Sequence, residues 1–151
     1  NKKAKLSKYK LHLLDLPKKT IKSFSPSFNQ AITIDSSEFH KIVREMKDIA
    51  TDLELRCYDN TLRFKSVKGL FADAEIYLSL TDIQQDKKNT KNDIVQGVFD
   101  LKYLSMFCKC TPLSKKVCIY LKNDYPLIIR YNVNNLGEIR LILMMSQTDD
   151  D

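Results

Sequence analysis

Two spacings of apolar residues alternate along this chain, one of two positions and one of three to four. Tyr9, Leu11 and Leu13 alternate with Lys8, Lys10 and His12, which predicts a strand buried on one face. Leu14-Asp-Leu-Pro17 breaks that pattern. The stretch to Pro26 has only Leu16, Ile21 and Phe24 as bulky apolar residues, and reads as a connector lying on a surface. Phe28 to Ile34 predicts a second strand, and Asp35-Ser-Ser-Glu38 a helix start capped by Asp35 or Ser36. Helix is expected to about Ala50. Phe39, Ile42, Val43, Met46 and Ile49 form its buried stripe and leave Lys41, Arg44 and Lys47 outside. Leu53, Leu55 and Cys57 then alternate with polar partners, Asp59-Asn60 supplies a turn, and Leu62 to Val67 returns as a hairpin. Leu70 to Leu80 reads as a longer strand, carrying Phe71, Ala74, Ile76, Leu78 and Leu80.

Thr81 to Asp93 is polar almost throughout and is expected to be a flexible loop. Ile94 to Phe99 predicts a strand that feeds a helix. In that helix Asp100 caps the first turn, Leu101, Leu104, Phe107 and Cys108 form the buried stripe, and Pro112 ends the run. Lys102, Ser105 and Lys109 lie on the other side. Val117 to Leu121, Leu127 to Val133 and Glu138 to Leu143 follow as a meander, with turns at Asn123-Asp124 and Asn134 to Gly137. The order is strand, helix, three strands, and then the same again. It predicts an α+β fold of two β-α-β-β-β units, with both helices side by side on one face of a continuous antiparallel sheet. Four segments follow: 1–13 as a basic start and orphan strand, 14–27 as connector, 28–146 as the main domain, and 147–151 as an acidic tail.

Composition narrows the chemistry. The chain has 151 residues, enough for one core of ordinary size, and 25 Lys and Arg against 19 Asp and Glu give a formal charge of +6. That excess favours acidic partners such as nucleic acid without requiring them. The four cysteines include C-x-C but no C-x-x-C, and the two histidines, His12 and His40, are not at zinc-finger spacing from them. No metal site is expected. Three of the cysteines occupy apolar positions in the patterns, as small core residues of a reducing compartment do. No apolar run approaches membrane-spanning length and no signal peptide is visible. Neither a nucleophile and base at usable spacing nor a phosphate loop appears, so an enzyme is not expected and no cofactor is implied.

Several stretches, in this order, resemble the DNA sliding clamps of the proliferating cell nuclear antigen (PCNA) type. They are Leu14-Asp-Leu16, Asp35-Ser-Ser-Glu-Phe39, Leu101-Lys-Tyr-Leu104 with Thr111-Pro-Leu-Ser114, and Tyr125-Pro-Leu-Ile-Ile-Arg-Tyr131 with Leu136-Gly137. The resemblance implies the DNA-clamp fold, with a connector and a C-terminal clamp domain. The first clamp domain would lie upstream of Asn1, leaving Tyr9 to Leu13 as its orphan last strand. The polar loop around residues 84–92 and the three glycines mark a divergent member, of the kind a large DNA virus encodes.

Three surfaces follow from the resemblance. Lys41, Arg44, Lys47, Lys102 and Lys109 would face duplex DNA, read without regard to sequence. With no aromatic residue interleaving the lysines, single-strand stacking is not indicated. Leu16, Ile21, Phe24, Pro126, Ile142 and Met144 would line a groove for peptides of DNA polymerase and other clamp-binding proteins. The family commonly has an aromatic at Ile142, an apolar residue at Ser23 and Ala-Pro at Met144-Met145, so peptide preference is expected to differ. Tyr9, Leu11 and Leu13 of one subunit would meet Phe71, Ile76 and Leu78 of the next, closing a homotrimeric ring. The implied role is that of a processivity factor in DNA replication and repair, loaded by a clamp loader, in the nucleus or a viral replication compartment. The alternatives are a subunit of a checkpoint-type heteromeric clamp and a clamp-like viral accessory factor.

Overall fold

The computed structural model describes residues 30–80, 83–85 and 94–146. The expected orphan strand, the connector and the acidic tail therefore lie outside the described residues. So do Tyr9, Leu11, Leu13, Leu16, Ile21 and Phe24.

The first unit runs β1 (Gln30–Asp35), α1 (Ser36–Lys47), β2 (Ala50–Tyr58), β3 (Thr61–Gly69) and β4 (Glu75–Ser79). A short strand, β5 (Ile83–Gln85), precedes the second unit of β6 (Val95–Asp100), α2 (Leu101–Phe107), β7 (Lys116–Leu121), β8 (Leu127–Val133) and β9 (Gly137–Leu143). The α+β class and both units agree with the pattern. The sheet, however, is not continuous. It is divided into β5-β1-β7-β8-β9 and β4-β3-β2-β6, all pairs antiparallel. Each unit thus gives its first strand to the other unit's sheet, with Ile32 opposite Ile119 in one and Leu55 opposite Gly97 in the other.

Contacts across the junction hold the sheets together. Asn123, in the β7–β8 turn, accepts from the Gln96 amide at 2.8 Å and donates to the Ile94 carbonyl at 3.0 Å. Its side chain serves β6 as a strand would. One core fills the interior, where Ile32, Phe39, Leu55, Phe64, Leu104 and Tyr131 are fully buried and the Phe39 and Phe64 rings lie 6.4 Å apart. Burying a side chain of this size stabilises the fold by roughly 1.5–3 kcal/mol.

Several expectations are corrected. The first helix ends at Lys47, not near Ala50, because the Ile49 amide turns back to the Met46 carbonyl at 3.2 Å and β2 begins at once. Asp35 is its N-cap residue but makes no side-chain cap; its carboxylate takes Lys116 at 3.1 Å, and Ser36 donates its hydroxyl to the Ser114 carbonyl. The strand expected from Leu70 begins only at Glu75. Lys68 has φ of 58°, and a Cβ on Gly69 would come within 2.5 Å of the Ala72 carbonyl, so the chain folds tightly upon itself there. Ala74 resumes the ladder, its carbonyl accepting from the Ser66 amide at 2.9 Å. Within the expected 81–93 loop, residues 83–85 form β5 on the edge of β1, since backbone pairing needs no apolar side chains.

Other local predictions hold. Asp59 and Asn60, with φ of 44° and 59°, make the hairpin turn. Asp100 caps α2 by accepting from the Lys102 amide at 2.6 Å. The end of that helix differs from the expectation: α2 stops at Phe107, and a 3-10 turn, Cys108–Leu113, contains Pro112 and extends one residue beyond it. No helix among the described residues is long and apolar enough to cross a membrane.

Candidate functional site

The apolar stripe of each helix fixes where its cations go. Phe39, Ile42, Val43 and Met46 bury one side of α1, and Leu101, Leu104 and Cys108 one side of α2 and the turn after it. The opposite sides carry Lys41, Arg44, Lys47, Lys102 and Lys109, all exposed as expected. The helices touch, and the Lys47 ammonium donates to the Ser105 hydroxyl across the seam at 3.3 Å. Lys41 is partly balanced by Glu45, 3.9 Å away one turn on. In chemical terms this is an exposed cationic surface on a rigid support, suited to the evenly spaced charges of a polyanion.

Two exposed residues on α2 escaped the sequence reading. Tyr103 and Met106 are 46% and 52% exposed. The Lys102 ammonium lies 5.9 Å from the centre of the Tyr103 ring, so an aromatic does stand among the lysines. Its position, off the line of Leu101, Leu104 and Cys108, was the available signal.

The described groove residues come together at one end of a sheet. Leu127 pairs with Leu143, which brings Pro126 level with Met144, while Ile142 and Met144 share a face on either side of buried Leu143. Ile142 is 52% and Met144 69% exposed, and Pro126 is half-buried. The subunit-contact residues are less alike than expected. Phe71 stands 98% exposed in the turn before β4, whereas Ile76 and Leu78 are half-buried against the core. What β4 offers outward is its backbone edge, since β3 is its one partner among the described strands.

Away from the helices, the outer face of β2-β3-β4 carries an ion network. Glu54 binds Arg63 directly and lies 3.8 Å from Arg56, while Glu75 accepts from the Tyr77 hydroxyl and lies 3.7 Å from Lys65. Burial alone would lower the Arg63 pKa, but its bonds and charge contacts with Glu54 and Glu75 raise it overall. The Tyr77 hydrogen bond, with help from Arg63 and Lys65, holds Glu75 below its ordinary value. The groups neutralise one another. All four cysteines are free, and burial pushes Cys57 up to about 11 and Cys108 up to about 12, the latter aided by Cys110. No cluster of three metal-ligating side chains occurs among the described residues.

Comparisons with known proteins bear on the family and the fold. The family model described as "Proliferating cell nuclear antigen, C-terminal domain" matches residues 25–146. A probable DNA polymerase sliding clamp of Acanthamoeba polyphaga mimivirus is 31% identical over 133 residues, spanning 88% of this chain and 28% of that protein. Probable DNA polymerase sliding clamp 1 of Paramecium bursaria Chlorella virus 1 is 30% identical over 144 residues, 93% of this chain and 55% of that one. Proliferating cell nuclear antigen 2 of Drosophila melanogaster is 30% identical over 149 residues, 99% of this chain and 58% of that one. The crystal structure of Proliferating Cellular Nuclear Antigen from Entamoeba histolytica superposes with a TM-score of 0.77 at 24% identity, covering 91% of this chain and 54% of that chain, a likeness of fold. The chain thus spans little more than half, or less, of the length of these relatives.

Proposed function

The chain belongs to the proliferating cell nuclear antigen family, and from that premise we propose that it forms the C-terminal part of a sliding clamp. Such a clamp encircles duplex DNA, slides along it and tethers replication and repair proteins. The observation that carries the reading is the pair of touching helices whose exposed sides hold Lys41, Arg44, Lys47, Lys102 and Lys109. Each phosphate contact contributes about −0.9 to the salt slope, so roughly four contacts per domain bind weakly at physiological salt. Weak, sequence-independent contacts permit sliding, and closure of a ring supplies the retention that affinity does not.

The protein acts without catalysis or cofactor. Its partners are double-stranded DNA, a clamp loader, and peptides of DNA polymerase and other proteins held near Pro126, Ile142 and Met144. Three copies close the ring, using the edge of β4 and the exposed Phe71. The site of action is the nucleus or a viral replication compartment, and two of the named relatives being viral supports the latter.

The test is topological. Protein loaded onto nicked circular DNA should stay bound through a salt wash and leave when the circle is cut. Retention on linear DNA with free ends would refute encirclement.

A further inference from the structure

The segment leaving β9 is fastened at Ser146. Its amide donates to the Val98 carbonyl on β6 at 2.9 Å, and its hydroxyl donates to Asp52 Oδ1 on β2 at 2.8 Å. Asp52 is 6% exposed, and Lys68 approaches its other oxygen at 3.4 Å. Met145 lies over β6, its sulfur 3.5 Å from where a Cβ on Gly97 would stand, and Met144 turns outward. Beyond Ser146 the sequence is Gln147-Thr148-Asp149-Asp150-Asp151. A serine with carboxylates from the third following position onward is the pattern that acid-directed protein kinases accept.

We propose that Ser146 is a phosphorylation site, and that its modification releases Met144, Met145 and Ser146 from β2 and β6 and so remodels the peptide groove. The link to the groove rests on the reading of Ile142 and Met144 given above. In the modifying step the γ-phosphoryl group of ATP moves to Ser146 Oγ. An O–P bond forms there, the bond between the γ-phosphorus and the β,γ-bridging oxygen breaks, ADP leaves, and the hydroxyl proton passes to the kinase's base.

That proton is the one Ser146 shares with Asp52. Its replacement brings about −1.5 to −2 charges against a buried carboxylate. Among the described residues Lys68 is the one cation paired with Asp52, and it does not balance both. Asp52 cannot retreat, because β2 is held between β3 and β6. Ser146 is half-buried, in irregular backbone past the last strand, and is the group that moves.

Incubation of the full chain with an acid-directed serine/threonine kinase and ATP should place phosphate on Ser146, located by peptide mass mapping and abolished by Ser146→Ala. Phosphate on Thr148 alone, or on neither residue, overturns the site. In protein carrying phosphoserine at 146, installed by ligation of a synthetic C-terminal peptide, hydrogen exchange at Met145 and Ser146 should rise about tenfold or more, with β7 and β8 unchanged. Exchange that does not rise overturns the release. Asp52→Asn should blunt the rise by removing the like charge, and Lys68→Gln, at an exposed position, should enlarge it; indifference to both overturns the electrostatic cause. Affinity for a polymerase-derived clamp-binding peptide, measured on the same proteins, separates the two readings. Release without any change in affinity from phosphorylation or from Ile142→Asp refutes the groove, while the exchange data uphold the latch.

Discussion

Lys47 on the first helix reaches across to Ser105 on the second, ammonium to hydroxyl at 3.3 Å, and joins two cationic surfaces that lie in different repeats. The bond is exposed and therefore weak. Its value is positional, because it shows that the outer sides of both helices form one surface. Charge reversal on that surface, Lys102→Glu with Lys109→Glu, should leave the melting temperature nearly unchanged. It should lower the salt slope of DNA binding by about 1.8 per chain, two contacts at about 0.9 each, and impair retention on nicked circles. Unfolding of this variant would show that the lysines support the core.

Leu104 lies on the same helix, facing the other way, and is fully buried. Leu104→Ala should cost about 2–5 kcal/mol in denaturant unfolding. Loss of less than about 1 kcal/mol would mean that α2 is not pinned to the sheets by this side chain.

Asn123 fills two hydrogen-bonding positions on the edge of β6. Asn123→Ala should cost about 1–3 kcal/mol. Amide exchange at Gln96 should accelerate more than at Leu55 in the middle of the sheet. Asn123→Asp keeps the acceptor for Gln96 and loses the donor to Ile94, so its effect should be intermediate.

Cys57 and Cys108 titrate near 11 and 12 in the folded chain, against an ordinary 9.0. Between those values the unfolded chain has released protons that the folded chain still holds. Their contribution to stability is therefore complete below pH 9 and is lost as the pH rises through 11 to 12. Unfolding midpoints should fall over that range, and less steeply in Cys108→Ala relative to its own value at pH 8. At pH 8, alkylation of these two thiols should lag far behind that of the unfolded chain.

Ile142 is half-exposed, so Ile142→Asp should leave the fold intact within about 0.5 kcal/mol. Binding of a polymerase-derived peptide should fall at least tenfold in a titration calorimeter if the groove reading holds. Undiminished binding would move the partner surface elsewhere.

What was legible in the sequence was what neighbouring residues decide. Asp100 caps the helix that starts beside it, Asp59-Asn60 turns its own hairpin, and the stripes through Phe39 and Leu104 choose the buried side. The five cations needed no more than that to be found exposed. Phe71 misled because the apolar residues from Leu70 to Leu80 read on paper as one strand, whereas the backbone folds upon itself after Gly69 and rejoins the ladder only at Ala74. Division into two sheets was hidden for another reason. Nothing within Gln30–Asp35 states that its partner is Lys116–Leu121 rather than the strands that follow it. Tyr103 was hidden by being one residue off a stripe in which Leu101, Leu104 and Cys108 are buried.

The exchange of first strands also governs how the chain must be made. Thr33 meets Cys118, 85 positions away, and this pairing closes a sheet whose other three long strands arrive last. Ends so far apart find each other slowly, because the loop must be closed before its contacts repay the lost entropy. During synthesis β1 has only the three-residue β5 to pair with until β7 has been translated. A chain cut between the repeats should therefore yield two aggregation-prone halves rather than two small domains, and mixing the halves should restore what neither has alone.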